Sequence, residues 1–206
     1  MSKVTIILMI ISLTIGCRTR KINENYLNSM GIELNVENSK TTIVQLNRST
    51  GVIFPKNYEI SFNRDRLSKR FTPTQEEIQE TELEIDKQYF KSEKRFIYNQ
   101  IFVRVTDNTT LTDEDRQKKF QDILKWKTKE ARKIMKYDRQ YLGFIEKEQK
   151  ILVIQFIDFT KDPYGLKDQL TKEWILGFDG WFAKNTRLKE YNLDTKELNV
   201  FGSTEL

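Results

Sequence analysis

The chain has 206 residues, of which 38% are hydrophobic and 12% aromatic, with one cysteine and no histidine. That is enough apolar surface for a folded core, while Ser-His-Asp and Cys-His catalysis and zinc sites built on His or Cys are excluded. A formal charge of +5 on a chain that is 32% charged describes a solvated surface rather than a concentrated basic patch, so no nucleic-acid partner is expected.

The chain opens with Met1-Ser2-Lys3 and a compact apolar run from Val4 to Ile15, closing at Leu13-Thr14-Ile15-Gly16-Cys17. A basic start, a short apolar stretch and a small residue before the cleavage point make a secretory signal. Roughly 20 apolar residues are needed to cross a bilayer; this run is shorter and is interrupted by Thr5, Ser12 and Thr14. With Cys17 directly after Gly16, the segment resembles the lipobox of bacterial lipoproteins, although Thr14 stands where the strict motif has leucine. The resemblance implies that residues 1–16 are removed as a signal peptide and that Cys17 carries lipid. An ordinary secreted protein is the alternative. Residues 17–30 then read as a lipidated tether, and its Arg18, Arg20 and Lys21 favour, by resemblance, a periplasm-facing orientation over the cell surface. Once Cys17 is lipidated no thiol remains, so stability must come from packing without disulfides.

From residue 31 to 206 the chain reads as a single α+β domain. Residues 31–65 form a small β meander, with short strands at Ile32–Val36, Ile43–Leu46, Gly51–Phe54 and Tyr58–Phe62. A helix-and-sheet core follows over 71–206. Thr72-Pro73-Thr74-Gln75 starts a helix that runs to about Ser92, with Thr72 as cap and Gln75 completing a capping box. Phe96–Val105, rich in aromatic and β-branched residues, reads as a strand. A second helix opens at Thr112, where Asp113, Glu114 and Asp115 suit the positive end of the dipole, and continues to about Lys136. Gln140–Ile145 and Lys150–Phe159 form a hairpin whose second strand is apolar on both faces, which marks it as central. Trp174–Phe178 reads as a strand ending in the turn Asp179-Gly180, and Leu188–Tyr191 and Leu198–Phe201 as a closing strand pair. The expected architecture is two main helices packed on an antiparallel sheet.

The run Tyr137-Asp138-Arg139-Gln140-Tyr141-Leu142-Gly143, the tryptophan-led strand ending in Asp179-Gly180 and the pair around Tyr191-Asn192-Leu193 resemble small uncharacterised bacterial lipoproteins. That resemblance supports the architecture and implies no activity. The layout is also similar to cystatin-like and NTF2-like folds, which host inhibitors, binding modules and enzymes alike.

Three groups of residues are candidates for function. Asp158, Glu173 and Asp179 lie near strand ends, and paired carboxylates can hydrolyse a glycosidic bond; the turn at Asp179-Gly180 explains Asp179 equally well. Among the aromatics Tyr141, Phe144, Tyr164, Trp174, Trp181 and Phe182, most fill a core, while Trp181, just after a tight turn, is the one expected to be exposed. Trp181, Asp179 and Trp174 are therefore the candidate binding residues. Between Arg116 and Arg139 a set of lysines and arginines surrounds Trp126; an exposed helix face is the plain reading, contact with anionic lipid headgroups the functional one. No metal or cofactor is expected. The sequence points to a membrane-anchored, non-catalytic interaction module of the cell envelope, acting on another envelope protein as an inhibitor, immunity-type protector or assembly accessory. An envelope glycan hydrolase using carboxylates, and a lipoprotein that holds a small ligand, are the alternatives.

Overall fold

The computed structural model describes residues 40–60, 69–103, 111–177 and 179–202. Cys17, the signal before it, the tether and the strand expected at Ile32–Val36 lie outside these residues. All described residues fall within the unit Ser39–Leu206. The class is α+β. Among the described residues a mostly antiparallel sheet of seven strands runs β1 (Thr42–Gln45), β2 (Thr50–Ile53), β4 (Asp138–Glu146), β5 (Gln149–Ile157), β6 (Thr186–Asn192) and β7 (Glu197–Val200), and β3 (Arg70–Phe71) also pairs with β4.

One edge of β4 serves two partners. Its first half pairs in parallel with β2, from Gly51 opposite Arg139 to Ile53 opposite Tyr141, and its second half pairs antiparallel with β3. The β1–β2 hairpin thus extends the main sheet instead of forming a meander beside it, and no strand occupies Tyr58–Ile60. At Gly143 the Phe71 carbonyl comes so close that an added Cβ would sit 2.5 Å from its oxygen, which leaves room for glycine alone. The β4–β5 turn rests on Lys147 and Glu148, both at positive φ, the geometry of a two-residue turn that follows the sheet's twist.

Two long helices, α1 (Gln75–Tyr98) and α2 (Asp113–Ile134), cover one face of the sheet. Both begin with reciprocal capping boxes, Thr74 with Glu77 and Thr112 with Asp115. The first starts two residues later than the sequence suggests. The reason is local: the Thr72 hydroxyl accepts the Lys56 N–H at 2.9 Å, so the cap passes to Thr74. Ile78, Ile85 and Tyr89 of α1 and Ile134 of α2 pack on Tyr141, Leu152, Ile154 and Phe156. The opposite face is covered by residues 158–177 and 179–185, where Leu170, Trp174 and Ile175 meet Val52, Phe54, Leu142, Val153 and Ile157. Central β5 is thus buried on both faces, as its composition predicts.

Two further expected strands are absent. The described part of Phe96–Val105 continues α1 and then makes a π-helical turn over Asn99–Val103. Ile97 and Ile101, four residues apart, lie on one side of that helix and bury against Phe120 of α2. Tertiary packing here outweighs the β preference of the side chains. Residues 174–177 are irregular and not a strand. The backbone of Ile175, and the carbonyls of Leu170 and Glu173 before it, bond to two buried glutamines of the sheet. Gln140 donates to the carbonyls of Leu170 (2.8 Å) and Glu173 (2.7 Å) and accepts the Ile175 N–H (2.9 Å), and Gln155 donates to the Ile175 carbonyl at 2.9 Å. Side chains replace a strand ladder and satisfy the same groups.

Candidate functional site

A cleft of about 620 Å³ opens between α1 and the turn of the β1–β2 hairpin. The hairpin contributes Leu46 and Arg48, and α1 contributes Glu82, Leu83 and Asp86 from successive turns of one helix side; Arg139 of β4 lies at the base. Strand alternation explains the last placement. Arg139 shares a sheet face with Tyr141 and must enter the layer beneath α1.

Arg139 is 0% exposed. A buried guanidinium needs a counter-ion and a partner for each N–H. Nη1 donates to Ser49 Oγ at 2.5 Å and to the Tyr137 carbonyl at 2.8 Å, and the plane lies 5.0 Å from the Phe156 ring. Nε sits 3.0 Å from Glu82 Oε1, an ionic contact off the hydrogen-bond axis. The same oxygen accepts the Tyr141 hydroxyl at 2.7 Å. Oε2 of Glu82 has no partner among the described residues. Burial pushes the Glu82 carboxyl above its ordinary range, opposed by Arg139 and by the Tyr141 hydroxyl. Leu83, 68% exposed, forms an apolar lip beside this carboxylate. A cleft of this size falls within the range of ligand pockets, roughly 300–1,000 Å³.

The residues singled out from the sequence lie elsewhere. Trp174 is a core residue, buried and edge-on to Phe54 at 5.9 Å, with its backbone N–H donated to the Tyr58 hydroxyl at 2.8 Å. Asp179 does not open a hairpin. It caps the short helix α3 (Gly180–Asn185), accepting the Phe182 N–H at 2.8 Å; aspartate serves caps as readily as turns. Trp181, in the first turn of α3, is half-buried on the second core, edge-on to Tyr164 at 6.2 Å, and its indole N–H donates to the Lys161 carbonyl. Asp158 accepts the Thr160 N–H at 2.9 Å and the Tyr137 hydroxyl. Neither it nor Glu173 nor Asp179 lines the cleft. Among the described residues no cluster of His, Cys, Asp or Glu is placed to hold a metal, and no helix is long and apolar enough to cross a membrane.

Sequence reasoning missed Glu82, Leu83 and Arg139 as a unit. One signal was available. An arginine between Tyr137 and Tyr141, in a strand that must pair on both sides, cannot reach water and calls for a carboxylate.

A second buried charge cluster ties both helices to β6. Lys189 (0% exposed) binds Glu93 of α1 and lies 3.1 Å from Ser92 Oγ. Lys127 of α2 reaches Glu93 at 2.7 Å and Glu130 at 3.2 Å. Arg187 holds Glu130 at 2.9 Å, and the Tyr89 hydroxyl donates to Glu130 at 2.8 Å. The carboxyls of Glu93 and Glu130 are held below their ordinary value, the neighbouring cations overcoming burial. This cluster fixes the helix layer to the sheet.

The fold and cleft together define an α+β domain with a charged, apolar-lipped groove. No family, curated protein or solved structure matches the chain.

Proposed function

We propose that the protein is a bacterial lipoprotein, anchored at a membrane through Cys17, whose domain binds another envelope protein in the α1–hairpin cleft. The observation that carries this reading is the pairing of exposed Leu83 with the half-committed carboxylate of Glu82 in an open cleft. An apolar lip over a partly desolvated charge suits an inserted side chain with an apolar stem and a cationic tip. The signal ending at Gly16-Cys17 supplies the anchor.

A carboxylate-dependent envelope glycan hydrolase is the second reading, favoured by Glu82 and Asp86 lining one cleft. Side chains four apart on a helix start about 5–6 Å from one another at Cβ, near the separation that retaining glycosidases use. Against it, Glu82 is the counter-ion of a fully buried arginine. Burial holds this carboxyl above its ordinary range, opposed by Arg139 and the Tyr141 hydroxyl, but the oxygen those two partners occupy is tied into the core and is not placed to hand a proton to a substrate and take it back.

The anchor is tested by Cys17→Ser in cells fed a labelled fatty acid. Wild type is expected to take up label and fractionate with membranes, whereas the variant loses the label and is found as soluble protein or unprocessed precursor. Equal labelling of both would overturn the anchor. Release of soluble glycan from peptidoglycan by wild-type protein, lost in Asp86→Asn, would replace binding with hydrolysis.

A further inference from the structure

The outer face of α2 is predominantly cationic. Lys118, Lys119, Lys125, Lys129, Arg132 and Lys133 are all exposed. At 100° per residue they fall within an arc of roughly 140°, along roughly 22 Å of helix. Between Lys118 and Lys133, Asp122 is the one carboxylate inside that arc, and it is held by Lys125 at 3.3 Å; Glu114 and Asp115 fall within the same arc nearer the start of the helix. Glu130 would border the stripe. It is instead buried and consumed by Lys127, Arg187 and Tyr89. The acidic residues Asp113, Glu114 and Asp115 are confined to the first turn. Within the stripe stands Trp126, 52% exposed, with Lys127 4.7 Å and Arg187 5.6 Å from its ring centre.

We propose that this face of α2 lies against the anionic headgroups of the membrane that carries the protein, with Trp126 at the headgroup level. The proposal rests on the lipid anchor argued above. The anchor keeps the domain within a tether's length of a bilayer, and Arg18, Arg20 and Lys21 of that tether carry the same sign as the stripe. Cations near an anionic leaflet are attracted individually, each raising occupancy about fivefold, and aromatic rings with a polar edge settle at the interface. The internal pairing of Glu130 leaves the outward charge uncancelled. The burial of Phe120 and Ile134 on the other side fixes which face is presented. The cationic side of the domain is thus set against the bilayer, and the domain acquires a defined orientation rather than swinging freely on its tether.

The test uses the full protein, purified from its membrane fraction and exchanged into vesicles of phosphatidylcholine, with or without phosphatidylglycerol, in each case doped with brominated lipid. Trp126 emission is expected to be quenched in the anionic vesicles and not in the neutral ones, and the quenched component should vanish in Trp126→Phe. Lys125→Glu with Lys129→Glu should reduce the anionic preference by at least about tenfold. Lys91→Glu with Lys94→Glu, an equal charge change on the exposed side of α1, should leave it unchanged. Both pairs are exposed, so folding is preserved. Association of wild type with neutral vesicles reports the anchor separately: a protein that has no lipid yet binds anionic vesicles keeps the α2 face and loses the anchor. Quenching independent of lipid charge, or an equal loss from both charge-reversed variants, would overturn the proposal. So would α2-dependent capture of an acidic protein or nucleic acid with no anionic-lipid preference.

Discussion

Glu82→Ala is expected to destabilise the domain by about 3–5 kcal/mol, the usual cost of removing one partner of a buried ion pair. The lost contact is the smaller part of this. Arg139 is 0% exposed and cannot follow its charge to water, so the variant leaves a buried guanidinium facing Ser49, backbone carbonyls, the Met135 sulfur and the Phe156 ring, none of them charged. It also strands the Tyr141 hydroxyl, which is completely buried and donates to Glu82. The pair as a unit is worth far less than either break suggests. Glu82→Leu combined with Arg139→Met is therefore expected to recover the part of the loss that comes from the unpaired guanidinium, with the Tyr141 hydroxyl still lacking its acceptor. Urea midpoints for Glu82→Leu, Arg139→Met and their combination form the cycle that checks this. If Glu82→Ala melted within about 1 kcal/mol of wild type, as exposed ion pairs do, the description of Arg139 as a dependent buried charge would be wrong.

The second cluster predicts an asymmetry and a pH signature. It holds three cations, Lys127, Arg187 and Lys189, against two carboxylates, Glu93 and Glu130. One cation is in surplus, and Lys189 is the most deeply buried of them. Burial, helped by Lys127, brings its ammonium down from 10.5 to about 8. A lysine whose folded value lies below its unfolded value binds fewer protons in the fold. Stability therefore rises with pH between about 8 and 10, by roughly 2 kcal/mol. Above that range the buried tyrosines reverse the slope. Burial raises the hydroxyls of Tyr89 and Tyr141 above 10.0, so the fold retains protons that the unfolded chain releases. Lys189→Met should lie close to wild type near neutral pH and lack the rise from 8 to 10. Glu93→Gln leaves three cations on one carboxylate and should cost about 3–5 kcal/mol. Urea midpoints between pH 7 and 10 read both effects. A wild-type midpoint that falls steadily over that range, or a Lys189→Met variant as damaged as Glu93→Gln, would contradict the charge count.

Much of the sheet is legible in the sequence because its signals are local. Lys150–Phe159 is apolar on both parities and is indeed the central strand, and Thr112 followed by three acidic residues marks the start of α2. The errors arise where a distant partner decides. Ile97 and Ile101 belong to a helix only because Phe120 lies opposite them. The segment after Trp174 lacks a ladder because Gln140 and Gln155, from other parts of the chain, hold its backbone. Asp179 was ambiguous in kind, since cap and turn ask the same of an aspartate. The cleft was not legible at all: Glu82 and Asp86 read as ordinary solvated charges until α1 is laid beside the β1–β2 turn.

Binding through that cleft is tested most directly by in-cell photo-cross-linking from position 83. A photoreactive residue replacing Leu83 is expected to capture one discrete envelope protein, and the adduct should be lost with Asp86→Lys in the same cleft. The same probe replacing Lys184, exposed on α3 away from the cleft, should capture none. No adduct from position 83 in folded, abundant protein, or the same adduct from both positions, would contradict a partner seated between α1 and the hairpin.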